Sequence, residues 1–272
     1  MKLIDLSGQW NVTLDDGTNG QVILPGTLDE NNMGPKDVGS NQWHPAEELG
    51  EGAKNNTLIH QSLEIATRFT RKHSYEGVAT YSRQFSLEEN QMSERVFFEA
   101  ERTRKLVLRM NGQKVESYFC GTLSTPYIFE LTNHLEKENT IELLCDNSYE
   151  GWPREAILYS SAATDETQTN WNGILGYIRL RIEKEVFISN VRVYPKGTKI
   201  TVQVDIDGAT SYEGTVHLVS SALGCDVKRE VSLEAGFHTL IFEALPLKDE
   251  ISHWDEYEGN LYELSVIGDD LD

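Results

Sequence analysis

Cysteine is scarce in this chain of 272 residues, and the three that occur, Cys120, Cys145 and Cys225, are far apart and lack CxxC spacing. An odd number with no paired spacing excludes a disulfide framework and a structural zinc site as organising devices. Basic residues are few as well: 24 Lys and Arg stand against 44 Asp and Glu, a net charge of -20. That excess repels phosphate backbones over most of a surface, so no nucleic-acid partner is expected. The acidic residues are spread along the chain and form no block that reads as a tail. No apolar run approaches a membrane span, and MKLIDLSGQW at the N-terminus has no apolar core of signal-peptide length. The expectation is therefore no membrane partner and a cytoplasmic location, unless a leader has been trimmed. Windows of helical periodicity, a G-x-S-x-G elbow and phosphate-cradling glycine loops are also missing. His73 and Glu76 within HSYEG have no third ligand at a useful spacing, so neither a metal nor another cofactor is expected.

What is present is β-structure. Aromatics at 9% and hydrophobics at 39% suffice for packed cores, and the length allows two domains. Short runs of β-branched or apolar residues at 21–24, 79–85, 95–100, 106–110, 140–145 and 178–182 read as strands separated by turn residues. Asn111-Gly112, between LVLRM and QKVESYF, predicts a two-residue hairpin, because both residues tolerate positive φ. Ser93 and Asn133 are candidate caps of single turns. Residues 31–61, which include Trp43-His44-Pro45, read as a long surface loop. A second strand series follows at 187–194, 199–206, 214–220, 228–233, 238–242 and 261–266. The spacing predicts an all-β chain with a first sandwich over 1–185 and a seven-stranded, immunoglobulin-like sandwich over 186–272.

The densest chemistry lies at 165–180, DETQTNWNGILGYIRL. Gln168, Asn170 and Asn172 surround Trp171 just before a glycine and an alternating strand. Amides that both donate and accept, beside an aromatic plate, suit sugar hydroxyls and the C–H face of a pyranose. The same residues would equally serve a loop that stitches its own backbone together, with Trp171 plugging a core. Carboxylate pairs are available at Glu99/Glu101, which share a strand face, and at Asp165/Glu166, which as neighbours do not. The pattern around Glu99 and Glu101 reads as an exposed strand face, and no catalytic residue is assigned.

Taken in order, several motifs resemble the N-terminal part of the family 2 glycoside hydrolases. LSGQW (6–10) with Leu14-Asp15 is similar to the family's opening strand. LPGTLDE (24–30) with Gly34 resembles its LPGT-D motif. RFTRKHSYEGVATYSR (68–83) resembles a run of basic residues, Y-x-G and an aromatic strand, with Thr80 where Trp is commoner. The segment from Asn111-Gly112 through Tyr127 and the pair Asn139-Thr140 with Asp146-Asn147 resemble two further strands. TQTNWNGILG (167–176) is similar to a signature of one branch, and WDEYEGNLYEL (254–264) to the close of the immunoglobulin-like domain, with His253 for the usual Leu and the prolines missing.

The resemblance implies a jelly-roll, galactose-binding-like sandwich followed by an immunoglobulin-like one. In the family these precede a (β/α)₈ barrel carrying two catalytic glutamates, and this sequence stops about where the linker to that barrel would begin. The chain alone is then expected to be inactive, with that barrel of the parent chain as its partner and a β-galactoside or β-glucuronide as the carbohydrate. Carried over from family loops at the barrel rim, the substrate-contacting residues are Thr167, Gln168, Asn170, Trp171, Asn172 and Glu76, with Ser74 and Tyr75 in the same turn. Thr167 stands near a position that is acidic in several relatives. Relatives also often assemble through these domains, so a homo-oligomer is compatible. The competing expectation is a stand-alone carbohydrate-binding module without hydrolase activity.

Overall fold

The computed structural model describes residues 1–36, 72–148, 170–248 and 251–271. They form two compact units, Leu3–Arg181 on one hand and Ile182–Asp272 with Met1–Lys2 on the other. Thirteen strands up to the end of the first unit run β1 (Lys2–Asp5), β2 (Gly8–Leu14), β3 (Asn19–Leu24), β4 (Gly26–Thr27), β5 (Val78–Ser86), β6 (Arg95–Ala100), β7 (Lys105–Met110), β8 (Gln113–Val115), β9 (Ser117–Phe119), β10 (Tyr127–Glu130), β11 (Glu138–Asp146), β12 (Gly173–Ile174) and β13 (Ile178–Glu183). One sheet has the order β1-β13-β6-β10-β9, the other β3-β2-β5-β11-β7-β8, and β12 pairs with β4.

Alternation explains how the sheets bury one face each. On β2, Trp10, Val12 and Leu14 turn inward while Gln9, Asn11 and Thr13 stay outside. On β11 the inward set is Asn139, Ile141, Leu143 and Cys145. Phe98 on β6 packs against Phe129 on β10 at 6.3 Å between ring centroids. Each fully buried side chain of this kind, such as Phe98 or Leu108, contributes about 1.5–3 kcal/mol. Asn111-Gly112 makes the expected two-residue turn, with φ of 51° and 81° and Met110 paired to Gln113. The Asn111 amide also donates to the His134 and Asn139 oxygens and accepts from Thr140 N–H, which locks the hairpin to β11.

Two sequence expectations need correction here. The one-turn helix α1 (Glu89–Met92) opens on Glu88 and ends on Ser93, which caps it as expected, at its C-terminal end; Asn133 does not act as a cap. Asn133 lies inside a 3₁₀ turn over Thr132–His134. Glu99 does not sit on an exposed face. It is only 4% exposed and accepts from Arg179 at 2.8 Å and Arg181 at 2.6 Å. Phe97 beside it is flanked by the Arg95 and Arg181 guanidiniums, at 5.1 and 4.6 Å from its ring, and by the Tyr118 edge. Arg95 in turn forms a two-pronged pair with Glu130. A layer of stacked guanidiniums and carboxylates thus covers the outer face of β6, which is why all six of its residues are buried.

The second unit holds β14 (Val186–Lys196), β15 (Lys199–Gly208), β16 (Tyr212–Ser220), β17 (Cys225–Leu233), β18 (Gly236–Pro246) and β19 (Ser265–Gly268). These form two sheets, β14-β15-β18 and β17-β16-β19, enclosing Val202, Val204, Ile206, Val216, Leu218 and Phe242. The strand expected at 261–266 begins only at Ser265. The Asp255 carboxylate accepts from the N–H groups of Tyr257 and Glu258, and Asp255 N–H donates back to the Glu258 carbonyl. That closed turn stands ahead of the shortened strand. The unit therefore shows six strands among the described residues, not seven. Among these residues no helix is long and apolar enough to cross a membrane, and no three His, Cys, Asp or Glu side chains converge on one point.

The cysteines give a direct check on the packing. Cys145 and Cys225 are buried, and burial pushes both thiols up, while Cys120 is exposed. Because the thiolate is the reactive form, a disulfide-exchange reagent should titrate one thiol per native chain rapidly and three in denaturant. Rapid reaction of all three in the native state would contradict the two cores.

Candidate functional site

The cleft of interest is assembled where β4 meets β12. Gly173 pairs with Thr27, and at its φ of 146° a Cβ would overlap the Gly26 carbonyl oxygen, so only glycine allows the strands to approach this closely. Leu28 N–H continues the contact by donating to the Asn172 carbonyl at 2.9 Å. Thr103 Oγ1 holds the Gly173 carbonyl from below at 2.9 Å.

The TLDEN segment after β4 is fixed by its own side chains. Glu30 Oε2 accepts from Thr27 N–H at 2.9 Å, while Thr27 Oγ1 accepts from Glu30 N–H at 3.1 Å. Asn31 exchanges hydrogen bonds with the Ile23 backbone in both directions. Asp29 reaches across the chain, and its Oδ1 accepts from Lys72 N–H at 2.9 Å and from His73 N–H at 2.7 Å. The imidazole Nδ1 of His73 then lies 3.8 Å from the same oxygen, too far for a hydrogen bond.

Tyr75 is anchored at its hydroxyl, which donates to the Val78 carbonyl at 2.7 Å and accepts from Asp15 N–H at 3.2 Å. Burial holds that phenol well above its ordinary range. Asn147 ties the Tyr75 turn to the 170s: its Nδ2 donates to the Tyr75 carbonyl, its Oδ1 accepts from Gly77 N–H, and its carbonyl accepts from Asn170 Nδ2.

These pieces enclose a cleft of about 240 Å³ lined by Thr27, Leu28, Asp29 and Glu30 on one side. His73, Tyr75, Asn170, Trp171, Asn172 and Leu175 complete it. Small-molecule sites usually run to roughly 300–1,000 Å³. The cleft by itself is thus the size of one sugar ring or the rim of a larger site.

The sequence-predicted residues separate here. Asn170, Trp171 and Asn172 come together in the lining. Asn172 is only 2% exposed. Its amide donors are taken by the Gly77 and Cys145 carbonyls and by Asn147 Oδ1, and its oxygen accepts from the Tyr81 hydroxyl. Its side chain therefore joins β5, β11 and the 170s. Trp171 is half-buried with the Arg104 guanidinium 4.7 Å from its ring, which leaves at most one face for a ligand. Glu76 is exposed and is not among the lining residues. Thr167 and Gln168 lie outside the described residues, as do Asp165, Glu166 and most of 31–61. Asp29, Glu30 and His73 were not singled out as site residues from the sequence. The available signal was the T-x-x-E spacing of Thr27 and Glu30, a local capping pattern that fixes Asp29 between them.

No family model and no curated protein matches this sequence. Solved structures do match. A β-D-mannosidase from Dictyoglomus thermophilum superposes with a TM-score of 0.68 at 17% identity, over 99% of this chain and 34% of that one. A family 2 β-galacturonidase from Eisenbergiella tayi, bound to galacturonate, gives 0.65 at 15% identity over 98% and 40%. A β-glucuronidase from Bacteroides uniformis gives 0.62 at 14% identity over 98% and 32%. This likeness shows a shared all-β, sandwich-built fold, and the chain spans between 32% and 40% of the length of these three enzymes.

Proposed function

We propose that this chain is the non-catalytic N-terminal part of a family 2 glycoside hydrolase that cleaves O-glycosyl bonds of β-linked sugars, with the Trp171 cleft completing the substrate site of a catalytic barrel in the same polypeptide. The observation that carries this reading is the match of 98–99% of the chain to one region of three glycosidases two and a half to three times its length. The cleft chemistry agrees with it. Retaining hydrolysis needs two available carboxylates roughly 5 Å apart. Asp29 and Glu30 are instead engaged in holding backbone N–H groups. An aromatic ring with one covered face, flanked by amides and a histidine, is suited to orienting a ring and its hydroxyls. The three enzymes differ in the sugar they are named for, so the specificity of the parent enzyme rests on groups other than the shared fold.

The mass of the native protein, read with an antibody to this chain, tests the reading together with assays on aryl β-glycosides. A species far above 30.8 kDa with glycosidase activity, and an inactive 272-residue chain, are expected. Substantial turnover by the purified chain would refute the assignment of catalysis to a barrel. A native mass near 30.8 kDa with direct oligosaccharide binding would favour the stand-alone binding module. In the active enzyme, Trp171→Ala should raise KM with kcat little changed. Loss of one ring contact worth about 0.5–1.5 kcal/mol corresponds to roughly a 2- to 12-fold rise.

A further inference from the structure

The outer face of the six-stranded sheet in the first unit carries a second polar site, apart from the Trp171 cleft. On β2, β3, β5 and β11 residues such as Val12, Val22, Tyr81 and Ile141 turn into the core. Between them Gln9, Asn11, Gln21, Ser82, Gln84 and Thr140 turn outward. These six line an open groove of about 460 Å³, with Trp10 and Arg83 on the inner side of the same strands. The groove shares no lining residue with the cleft.

Register sets these groups in two rows. Asn11 stands opposite Gln21 on one side and Ser82 on the other, and Gln84 stands opposite Thr140. Neighbours across the sheet are about 4.8 Å apart, and the rows, two residues apart along each strand, about 7 Å. Three of the amides also run in one direction. Gln9 Nε2 donates to Gln21 Oε1, and Gln21 Nε2 donates to Asn11 Oδ1 at 3.4 Å. That leaves Gln9 Oε1 as an acceptor at one end of the series and the Asn11 Nδ2 hydrogens as donors at the other. The side chains of Ser82, Gln84 and Thr140 make no hydrogen bond to another described residue.

What the face lacks selects its ligand. Charged residues make up 25% of this chain, yet none of the six outward groups is charged. Among the described lining residues only Arg83 is, and its Nη1 donates to the Leu6 and Ser7 carbonyls. A nucleic acid or an anionic lipid surface needs available cations, and a protein partner needs an apolar or aromatic centre. The outward set offers neither. Side chains that both donate and accept at regular steps fit a ligand that is itself uncharged and covered in hydroxyls, and a step of about 4.8 Å is close to the span of one pyranose ring. We infer that the outer face of β3-β2-β5-β11 binds an extended, uncharged polysaccharide strand, without cleaving it, at a site separate from the Trp171 cleft. This goes beyond the role proposed for the cleft and does not depend on it. The outward set has no aromatic plate, so affinity rests on hydrogen bonds, and a Kd on the order of 1 mM is expected.

Side-chain amide NMR signals of the isotope-labelled 272-residue chain test this during titration with cellohexaose, mannohexaose and, as the charged control, hexagalacturonate. The Gln9, Asn11, Gln21 and Gln84 NH₂ signals should shift with at least one neutral hexaose and not with hexagalacturonate, while the Trp171 indole N–H signal stays in place. The double substitution Asn11→Asp with Gln84→Glu keeps the shapes, removes the donors and adds charge. It should weaken binding about 10-fold or more with the circular dichroism spectrum unchanged. No shift at about 10 mM of either neutral sugar would overturn the inference. A stronger response to hexagalacturonate would do so too. Shifts confined to Asn170 and Trp171 would also overturn it, while leaving the reading of the cleft in place. A doubled mass in sugar-free solution, with the four sheet amides broadened, would give the face to a second copy of this chain and refute the sugar site.

Discussion

Asn172→Ala is expected to lower the unfolding free energy by about 3–4 kcal/mol, measured as a drop in the urea midpoint with an unchanged slope. The size follows from what the substitution leaves behind. Asn172 supplies hydrogen bonds to the Gly77 and Cys145 carbonyls and to Asn147 Oδ1, and it accepts the Tyr81 hydroxyl, all within a site where it is 2% exposed. Alanine removes both halves of the amide and leaves the Tyr81 hydroxyl buried without its acceptor. Removing a partner in this way costs more than the bond contributed. Asn170→Ala, at the half-buried rim and hydrogen-bonded to Asn147 through both ends of its amide, should cost clearly less. Equal and small effects of the two substitutions would mean that Asn172 is not the tie among β5, β11 and the 170s.

Glu99→Ala should be at least as damaging, at about 3–5 kcal/mol, because it strands the Arg179 and Arg181 guanidiniums without their carboxylate. Glu99→Gln keeps the shape and one acceptor and should fall between alanine and the native residue. Replacing the whole group, with Glu99→Leu, Arg179→Met and Arg181→Met together, should recover much of the loss, since a desolvated ion triad often contributes little over apolar packing. Denaturant unfolding of the four proteins distinguishes these outcomes, and a harmless Glu99→Ala would exclude the buried clamp. The same series bears on function. Glu99 is one of the strand carboxylates a glycosidase search would consider, yet its two oxygens are held by arginines. In an active full-length enzyme, Glu99→Gln should therefore leave kcat unchanged at temperatures where the protein is folded.

Residues near the chain surface illustrate how far the sequence could be read. The strands at Lys105–Met110 and Glu138–Asp146 were legible because one face of each is buried and the other wet, which writes a period of two into the side chains. Asn111-Gly112 was legible because the required positive φ restricts the residue choice. β6 was legible as a strand, but its burial was not. Arg95 and Glu99 look like surface residues until Glu130, Arg179 and Arg181 arrive from 35 to 82 positions away in sequence. The late start of β19 was hidden because 261–266 reads as one strand-like run, while the ladder to β16 takes in only Ser265 to Gly268.

At the cleft the division is the same. The sequence determined by itself that amides and an indole cluster before Gly173 and that the chain is all-β, because composition, period and turn chemistry are local properties. Which amide is committed to the fold and which faces the cleft was decided only by tertiary structure. Asn172 and Asn170 are the same residue type two positions apart, and they differ because Tyr81, Gly77 and Cys145 converge on one and Asn147 on the other. Asp29 and His73 likewise became neighbours only when β4 and the Tyr75 turn closed on each other, since hydrogen-bond capacity is written in the residue but its use depends on what the fold brings within about 3 Å.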